Sequence, residues 1–378
     1  MKLPFLLLQI LDYMKIRSIK LNNYKKFTRR GDPYGYNFFD PETGEINAVT
    51  LVTGNNGEGK TTLLHAIASV VGSAVRDKFR PSSLEWPGFV FPYLQNGRSP
   101  VRINIDLELV QDEVDATREY CTELQRIYSE RTYKMPPNQT NLTLYLDYEM
   151  DKVLATPESG MDAIFLTKGY QYAKMLESKD KNYGMRFERV GSILWYDEHR
   201  TAASITKHFF KDDLSSIAKK NQSSMIKELV AHWYYTHSDL EKGRHQLRPG
   251  QFDKFVKLRR FYEMIFRGRK LKWATLSQGG GNGIDVVFSD GRNEYDFSEM
   301  SAGERAIFPI LLDFANQNIN NSIVLIDELE LHLHPPLQQQ FLDALPLLGR
   351  NNQYIVTTHS PFIASQFPDE RKIVIRHD

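Results

Sequence analysis

Apolar and polar positions alternate along several short stretches of the chain, and a period of two marks strands. Ile16, Ile19 and Leu21, with basic residues among them, predict a half-exposed strand from Lys15 to Leu21. Val101, Ile103, Ile105, Leu107 and Leu109 alternate without a break and predict a second, and Leu142 to Tyr148 a third. Ala48 to Thr53, Ile323 to Ile326 and Tyr354 to Val356 are instead short and continuously apolar. Such runs suit parallel strands covered on both faces. Ser192 to Tyr196 predicts one more strand, and its pattern leaves open which sheet it joins. Ile284 to Phe288 and Glu294 to Phe297 flank Ser289-Asp290-Gly291-Arg292 and read as a hairpin turned by the Asp-Gly pair. Thr61 to Val75 is apolar on most faces, which predicts a helix buried on several sides. Gln111 to Thr132 is charged and amphipathic, with Val114, Thr117, Cys121, Leu124 and Tyr128 near one face. Asp212 to Trp273 reads as mostly helical. Thr28 to Gly44, rich in Gly, Pro, Asp and Asn, reads as a loop, and Gly279 to Gly283 as a flexible link.

Composition narrows the class. At 378 residues, 41% hydrophobic and 25% charged, the chain is an ordinary globular one of roughly two domains, neither disordered nor fibrous. Forty-eight Lys+Arg against forty-seven Asp+Glu leave a net charge of +1, so any nucleic-acid binding must come from a local patch. The single cysteine, Cys121, excludes an internal disulfide. No apolar run approaches the ~18 residues of a membrane helix, so no membrane association is expected. Leu3 to Leu11 resembles the apolar part of a signal peptide, but Asp12-Tyr13-Met14-Lys15 follows in place of a small-residue cleavage site. The expectation is a cytoplasmic protein with an N-terminal extension over residues 1–13, translated from Met1 or Met14.

Four strings carry chemistry. Gly54-Asn55-Asn56-Gly57-Glu58-Gly59-Lys60-Thr61-Thr62 satisfies G-x-x-x-x-G-K-[ST] between a predicted strand and a predicted helix. Its glycines let backbone N–H groups converge on phosphate oxygens at a helix N-terminus. Lys60 should reach the β- and γ-phosphates, and Thr61 should coordinate Mg²⁺. Next, Ile323 to Ile326 ends in Asp327-Glu328, two carboxylates where open α/β sheets bind ligands. After a P-loop, Asp327 becomes a metal ligand and Glu328 a base for the attacking water. Third, Phe297 to Arg305 contains Ser301-Ala302-Gly303-Glu304, which by itself spells a helix N-cap with Glu304 at the capping-box position. Last, Thr357-Thr358-His359-Ser360-Pro361 closes an apolar run and makes His359 a candidate γ-phosphate sensor.

In their order along the chain, the glycine-rich string, Ser301 to Glu304, Asp327-Glu328 and His359, the four resemble ATP-binding-cassette ATPases. The resemblance is to the RecF/SMC-type heads, and above all to the stand-alone AAA family ATPases of the overcoming-lysogenisation-defect (OLD) class. Met14 to Phe27 looks like their opening strand, and Asp327 to Pro335 like their Walker B and D-loop, with Leu329 where most carry proline. The similarity covers residues 14–109 and 283–378. It implies an α/β P-loop NTPase fold, a mixed sheet with flanking helices and a mainly helical insertion. The domains would be an extension (1–13), the N-terminal half of the head (14–109), the insertion or lid (110–282) and the C-terminal half of the head (283–378). It further implies a head-to-tail homodimer or larger homo-oligomer enclosing two ATPs. Ser301 and Gly303 of one copy would complete the site built from Lys60, Asp327 and Glu328 of the other. Gln95, just ahead of the Val101 strand, matches the Q-loop glutamine by spacing and would contact nucleotide and metal. The implied activity is slow Mg²⁺-dependent hydrolysis of ATP.

The resemblance extends to ATPases of antiviral defence modules, Septu-like and retron-associated. The chain stops nineteen residues after His359, where OLD-class nucleases carry a fused nuclease domain, so a separate effector, a nuclease or toxin, is expected. Two other readings stay open: a RecF-like DNA-repair ATPase, and a scaffold that binds ATP without turnover, against which Glu328 argues. Lys254, Lys257, Arg259 and Arg260 lie in a basic segment, Gln251 to Trp273, that is either a solvated helix face or a DNA-phosphate surface. His332 and His334 flank a leucine and are too few for a zinc site.

Overall fold

The structure, a computed structural model, describes residues 13–28, 32–77, 79–95, 100–177, 184–198, 222–248, 250–276, 283–317 and 319–376. Two sheets are built in alternation. β1 (Lys15–Asn22) and β2 (Tyr34–Asn37) pair antiparallel, Ile19 opposite Tyr36. β3 (Val49–Thr53) leaves for the second sheet and leads into α1 (Lys60–Val75). β4 (Arg102–Glu108) returns beside β1. After α2 (Gln111–Ile127), β5 (Asn141–Asp147) and β6 (Lys152–Ala155) complete an antiparallel sheet of order β2-β1-β4-β5-β6. α3 (Gly169–Glu177) leads to β7 (Ile193–Tyr196). α4 (Gln222–Glu241) and α5 (Lys254–Ile265) precede a small antiparallel sheet of β8 (Lys270–Leu276), β9 (Ile284–Ser289) and β10 (Glu294–Asp296). The chain ends with α6 (Ala302–Gln317), β11 (Ile323–Ile326), α7 (Pro335–Ala344), β12 (Gln353–Thr357), α8 (Pro361–Gln366) and β13 (Lys372–Val374). The second sheet runs β13-β3-β12-β11-β7 with every pair parallel. The fold is α/β.

The continuously apolar runs are explained by which faces they cover. Ile323 and Leu325 of β11, Ile355 of β12 and Val52 of β3 point into one core, with Leu63, Leu64, Ile67, Val70 and Val71 of α1. Ile103, Ile105 and Leu107 of β4 close that core from the other side, so α1 is held between the two sheets and its apolar residues occupy most of its circumference. Val324 and Ile326, Tyr354 and Val356, and Leu51 face the opposite way, onto α5, α6 and β9. A strand covered on both faces has no polar side to alternate. A third, smaller cluster ties α2 to α3 through Tyr120, Cys121, Leu124, Tyr172 and Leu176.

Three expectations change. The stretch from Thr28 to Gly44 holds an edge strand, β2, whose Tyr34 and Tyr36 rings stand edge-on to Phe27 at 5.5 and 6.2 Å. Its glycine and flanking polar residues hide the pairing. The region read as helical to Trp273 ends in β8, where Leu271 and Trp273 pair with Phe288 and Val287. Residues 110–282 hold more helix than strand, yet they also supply strands to both large sheets: β5 and β6 extend the antiparallel sheet, and β7 is the edge of the parallel one beside β11. Their partners are too far away in sequence for local pattern to reveal them. The expected extension, apart from Tyr13, lies outside the described residues, as do residues 212–221 and 279–282. Among the described residues no helix is long and apolar enough to cross a membrane.

Candidate functional site

Parallel strands deliver their following loops to one edge of a sheet, and adjacent strands deliver them side by side. β3, β12 and β11 are neighbours in that order, so the glycine-rich loop after β3, the histidine loop after β12 and the Asp327-Glu328 loop after β11 meet. Together with the turn after β1 they line a cleft of about 640 Å³ whose walls include Lys26, Gly57, Lys60, Thr61, Glu328, Glu330 and His359. A larger cavity of about 1330 Å³, between α3 and α4, contains none of the motif residues.

The loop at 54–59 is braced from within. Glu58 accepts from the Asn55 backbone N–H at 2.6 Å and from Asn55 Nδ2 at 2.8 Å. Gly54 sits at φ +150°, where a Cβ would lie 2.9 Å from the Ile375 carbonyl, so only glycine fits beside the chain after β13. The Lys60 ammonium donates to the Gly54 and Asn55 carbonyls at 2.8 and 2.9 Å. Burial lowers its pKa, and the surrounding carboxylates Glu58, Glu328, Glu330 and Asp327 oppose that shift. Asn55, Asn56 and Gly57 are exposed along the loop, and Thr62 lines the cleft next to Thr61.

Asp327 is 1% exposed, and burial pushes its carboxyl up to about 6, against the lowering effect of two hydroxyl donors. Thr357 donates to its Oδ1 at 2.5 Å and Thr61 to the same oxygen at 3.2 Å. Among the described residues no lysine or arginine is ion-paired with it. A buried carboxylate oxygen beside a threonine hydroxyl is a donor set that suits a hard divalent ion such as Mg²⁺. The next residue, Glu328, takes a left-handed φ of +46°, with its N–H held by Thr357 Oγ1 at 2.8 Å. His359 Nε2 lies 3.7 Å from Glu328 Oε1.

The structure therefore brings Lys60, Thr61, Glu328 and His359 into one cleft, with Asp327 bonded to Thr61. Gln95 is not among the lining residues and forms a bridge with Tyr24. Ser301 and Gly303 are also outside the cleft. Ser301 and Ala302 are exposed. Glu304 accepts from Ser301 Oγ at 2.7 Å and from its N–H at 2.9 Å, and Ser301 Oγ accepts from Glu304 N–H at 3.3 Å, a reciprocal cap. Glu304 also takes Tyr262 and Tyr295 hydroxyls at 2.5 and 2.7 Å and pairs with Arg269, and despite burial its carboxyl is held at about 2. At Gly303 a Cβ would come 2.9 Å from Leu337 Cδ2, so this turn packs closely on α7. Lys26, Glu330 and Leu331 line the cleft and were not singled out from sequence. Glu330 stood inside the Asp327 to Pro335 string, as a third carboxylate two residues beyond Glu328. Of the basic quartet on α5, Lys254 donates to Asn316 Oδ1 at 2.7 Å, Lys257 lies 4.6 Å over the Phe252 ring, and Arg259 lies over Phe255. Only Arg260 is well exposed.

Residues 146–365 match the family described as AAA domain, putative AbiEii toxin, Type IV TA system, and residues 18–242 match a family described as AAA domain. The Retron Vc95 probable ATPase of Vibrio cholerae serotype O1 biovar El Tor is 23% identical over 412 residues, covering 96% of this chain and 73% of that protein. The Retron Ec83 probable ATPase of Escherichia coli is 37% identical over 89 residues, 21% of this chain and 16% of that protein. A solved Smc head bound to the C-winged helix domain of ScpA superposes with a TM-score of 0.49 at 14% identity, over 93% of this chain and 91% of that one.

Proposed function

Because the chain belongs to this AAA-domain family, we propose that it binds ATP and hydrolyses it to ADP and phosphate. The observation that carries the reading is the convergence of Lys60, Thr61, Glu328 and His359 on one cleft, with Asp327 behind Thr61. The backbone N–H groups of the loop at 54–62 and the Lys60 ammonium would cradle the β- and γ-phosphates. Thr61 and Asp327 would hold Mg²⁺, which when bound neutralises charge on the phosphate oxygens. Glu328 would orient a water toward the γ-phosphorus and take its proton, and His359 would contact the γ-phosphate. The left-handed backbone at Glu328, pinned by Thr357, turns its carboxylate into the cleft.

The site would be completed by a second copy. Ser301 lies at an exposed helix start outside its own cleft, which suits contact with the nucleotide of a head-to-tail partner. Gln95, bridged to Tyr24 in the turn after β1, would act at the rim. The biological setting would be a defence module, which the retron names of two relatives support, and the module would act through a separate nuclease or toxin effector. DNA remains a candidate ligand through Arg260 and Arg259, with Lys254 and Lys257 already engaged inside the fold. The test is Glu328→Gln with ATP and Mg²⁺: trapped nucleotide and a dimer by sedimentation are expected, while the wild type turns over. A wild type that binds no nucleotide would refute the reading, and one that binds without turnover would favour the scaffold.

A further inference from the structure

Five hydrogen bonds lace the loop after β11 to the last residue of β12 and the loop that follows it. Three converge on Thr357: its hydroxyl bonds Asp327 and Glu328 N–H, and its carbonyl accepts from Leu329 N–H at 3.1 Å. The other two end on a single carboxylate. Glu330 Oε2 accepts from the Thr358 hydroxyl at 2.7 Å, and Glu330 Oε1 accepts from the His359 backbone N–H. The Thr358 hydroxyl also accepts from Ser360 N–H at 3.0 Å, so Glu330 holds the loop on both sides of the histidine.

We propose that Glu330 is a positioning residue for His359. This rests on the ATPase reading above. His359 is exposed on the cleft side, and the bonds that fix its backbone come from Glu330, not from its own side chain. A second carboxylate beside Glu328 adds like charge to a cleft meant for a triphosphate, and hydrogen bonds from neutral donors orient that group without removing its charge. Here one oxygen takes an O–H and the other an N–H, so the group acts as an acceptor pair. A histidine displaced by about an ångström loses its contact with the transferring phosphate, a change of up to about 100-fold in rate. The role needs an acceptor at this place and not a charge. Glutamine can take the His359 N–H on its oxygen and donate its amide to Thr358 Oγ1. Alanine can do neither.

The test compares Glu330→Ala, Glu330→Gln and wild type by two readouts. The first is amide hydrogen exchange of the segment 357–360 in nucleotide-free protein, which needs no activity. Exchange is expected to rise about tenfold or more in Glu330→Ala and to stay near wild type in Glu330→Gln. The second is hydrolysis set beside binding of a fluorescent ATP analogue. Glu330→Ala should lose between about 10- and 100-fold in kcat with its Kd within about twofold, and Glu330→Gln should recover most of the rate. Unchanged exchange in Glu330→Ala overturns the inference. So does a Glu330→Gln rate as low as that of Glu330→Ala with exchange intact, since charge would then be the function. A wild type without turnover refutes the hydrolysis reading, and the exchange comparison still decides the role of Glu330 in holding the loop.

Discussion

Thr357→Val keeps the outline of the side chain and deletes one hydroxyl at the centre of the site. That hydroxyl is fully buried, donates to Asp327 Oδ1 at 2.5 Å and accepts from Glu328 N–H at 2.8 Å. The bond to an ionised carboxylate is worth ~1.5–3 kcal/mol, and a buried N–H left without an acceptor costs ~1–3 kcal/mol. Glu328, at φ +46°, recovers on the order of 1 kcal/mol if it relaxes out of the left-handed region once its anchor is gone. The expected loss is therefore about 2–4 kcal/mol. Thr357→Ser keeps both bonds and removes one methyl group, a loss of about 1 kcal/mol. The assay is urea denaturation of the three proteins without nucleotide, followed by ATP turnover at a urea-free temperature where all are folded. Thr357→Val should fall well below Thr357→Ser in stability, and its turnover should fall with the displaced Glu328. If Thr357→Val lies within ~0.5 kcal/mol of wild type, the hydroxyl is not holding the two carboxylate-bearing residues together.

Gly191→Ala should be among the most damaging single substitutions, since a Cβ there would collide with the Asn321 carbonyl oxygen. The obstacle is backbone, so the loop before β7 must part from the chain entering β11, at a cost of about 3 kcal/mol or more. A thermal unfolding midpoint equal to that of wild type would contradict this. Asp313→Asn tests a buried charge. Burial raises the Asp313 carboxyl to about 7 from 3.8, so the native state keeps a proton that the unfolded chain releases between those values. Stability from this group is thus full below pH ~4, falls as pH rises toward 7 and is flat above. The asparagine variant lacks that slope, and its stability relative to wild type should grow by a few kcal/mol between pH 4 and 8 in urea melts. A gap independent of pH would mean Asp313 is ionised in the native protein at little cost.

Several residues that line the cleft were named from the sequence alone. The glycine-rich string stood out because it has the glycines and the lysine, at fixed spacing next to a helix start, that cradling phosphate would need. The Ser301 to Glu304 string carried two messages, and its local one, a capped helix, is present in the bonds between those residues. The basic segment misled: both readings of it, a solvated face or a DNA surface, put Lys254 and Lys257 outward, but α5 packs beside α6 and aromatic rings that draw both ammonium groups inward. Glu330 was overlooked because its function lies in bonds to Thr358 and His359, residues that periodicity cannot bring near it.

The sequence alone determined what each loop contains: a glycine-rich run ending in a lysine after one buried strand, two carboxylates after another, a histidine after a third. Such content is local, since backbone conformation and side-chain chemistry are set within a few residues. The tertiary structure decided that β12 lies between β3 and β11, which makes the three loops neighbours. It also decided that β7 closes the parallel sheet, Ile193 against Ile323. Strand order is a choice among partners of similar apolar pattern, and only the packing of α1 between two sheets, with helices on the far face, selects one of them.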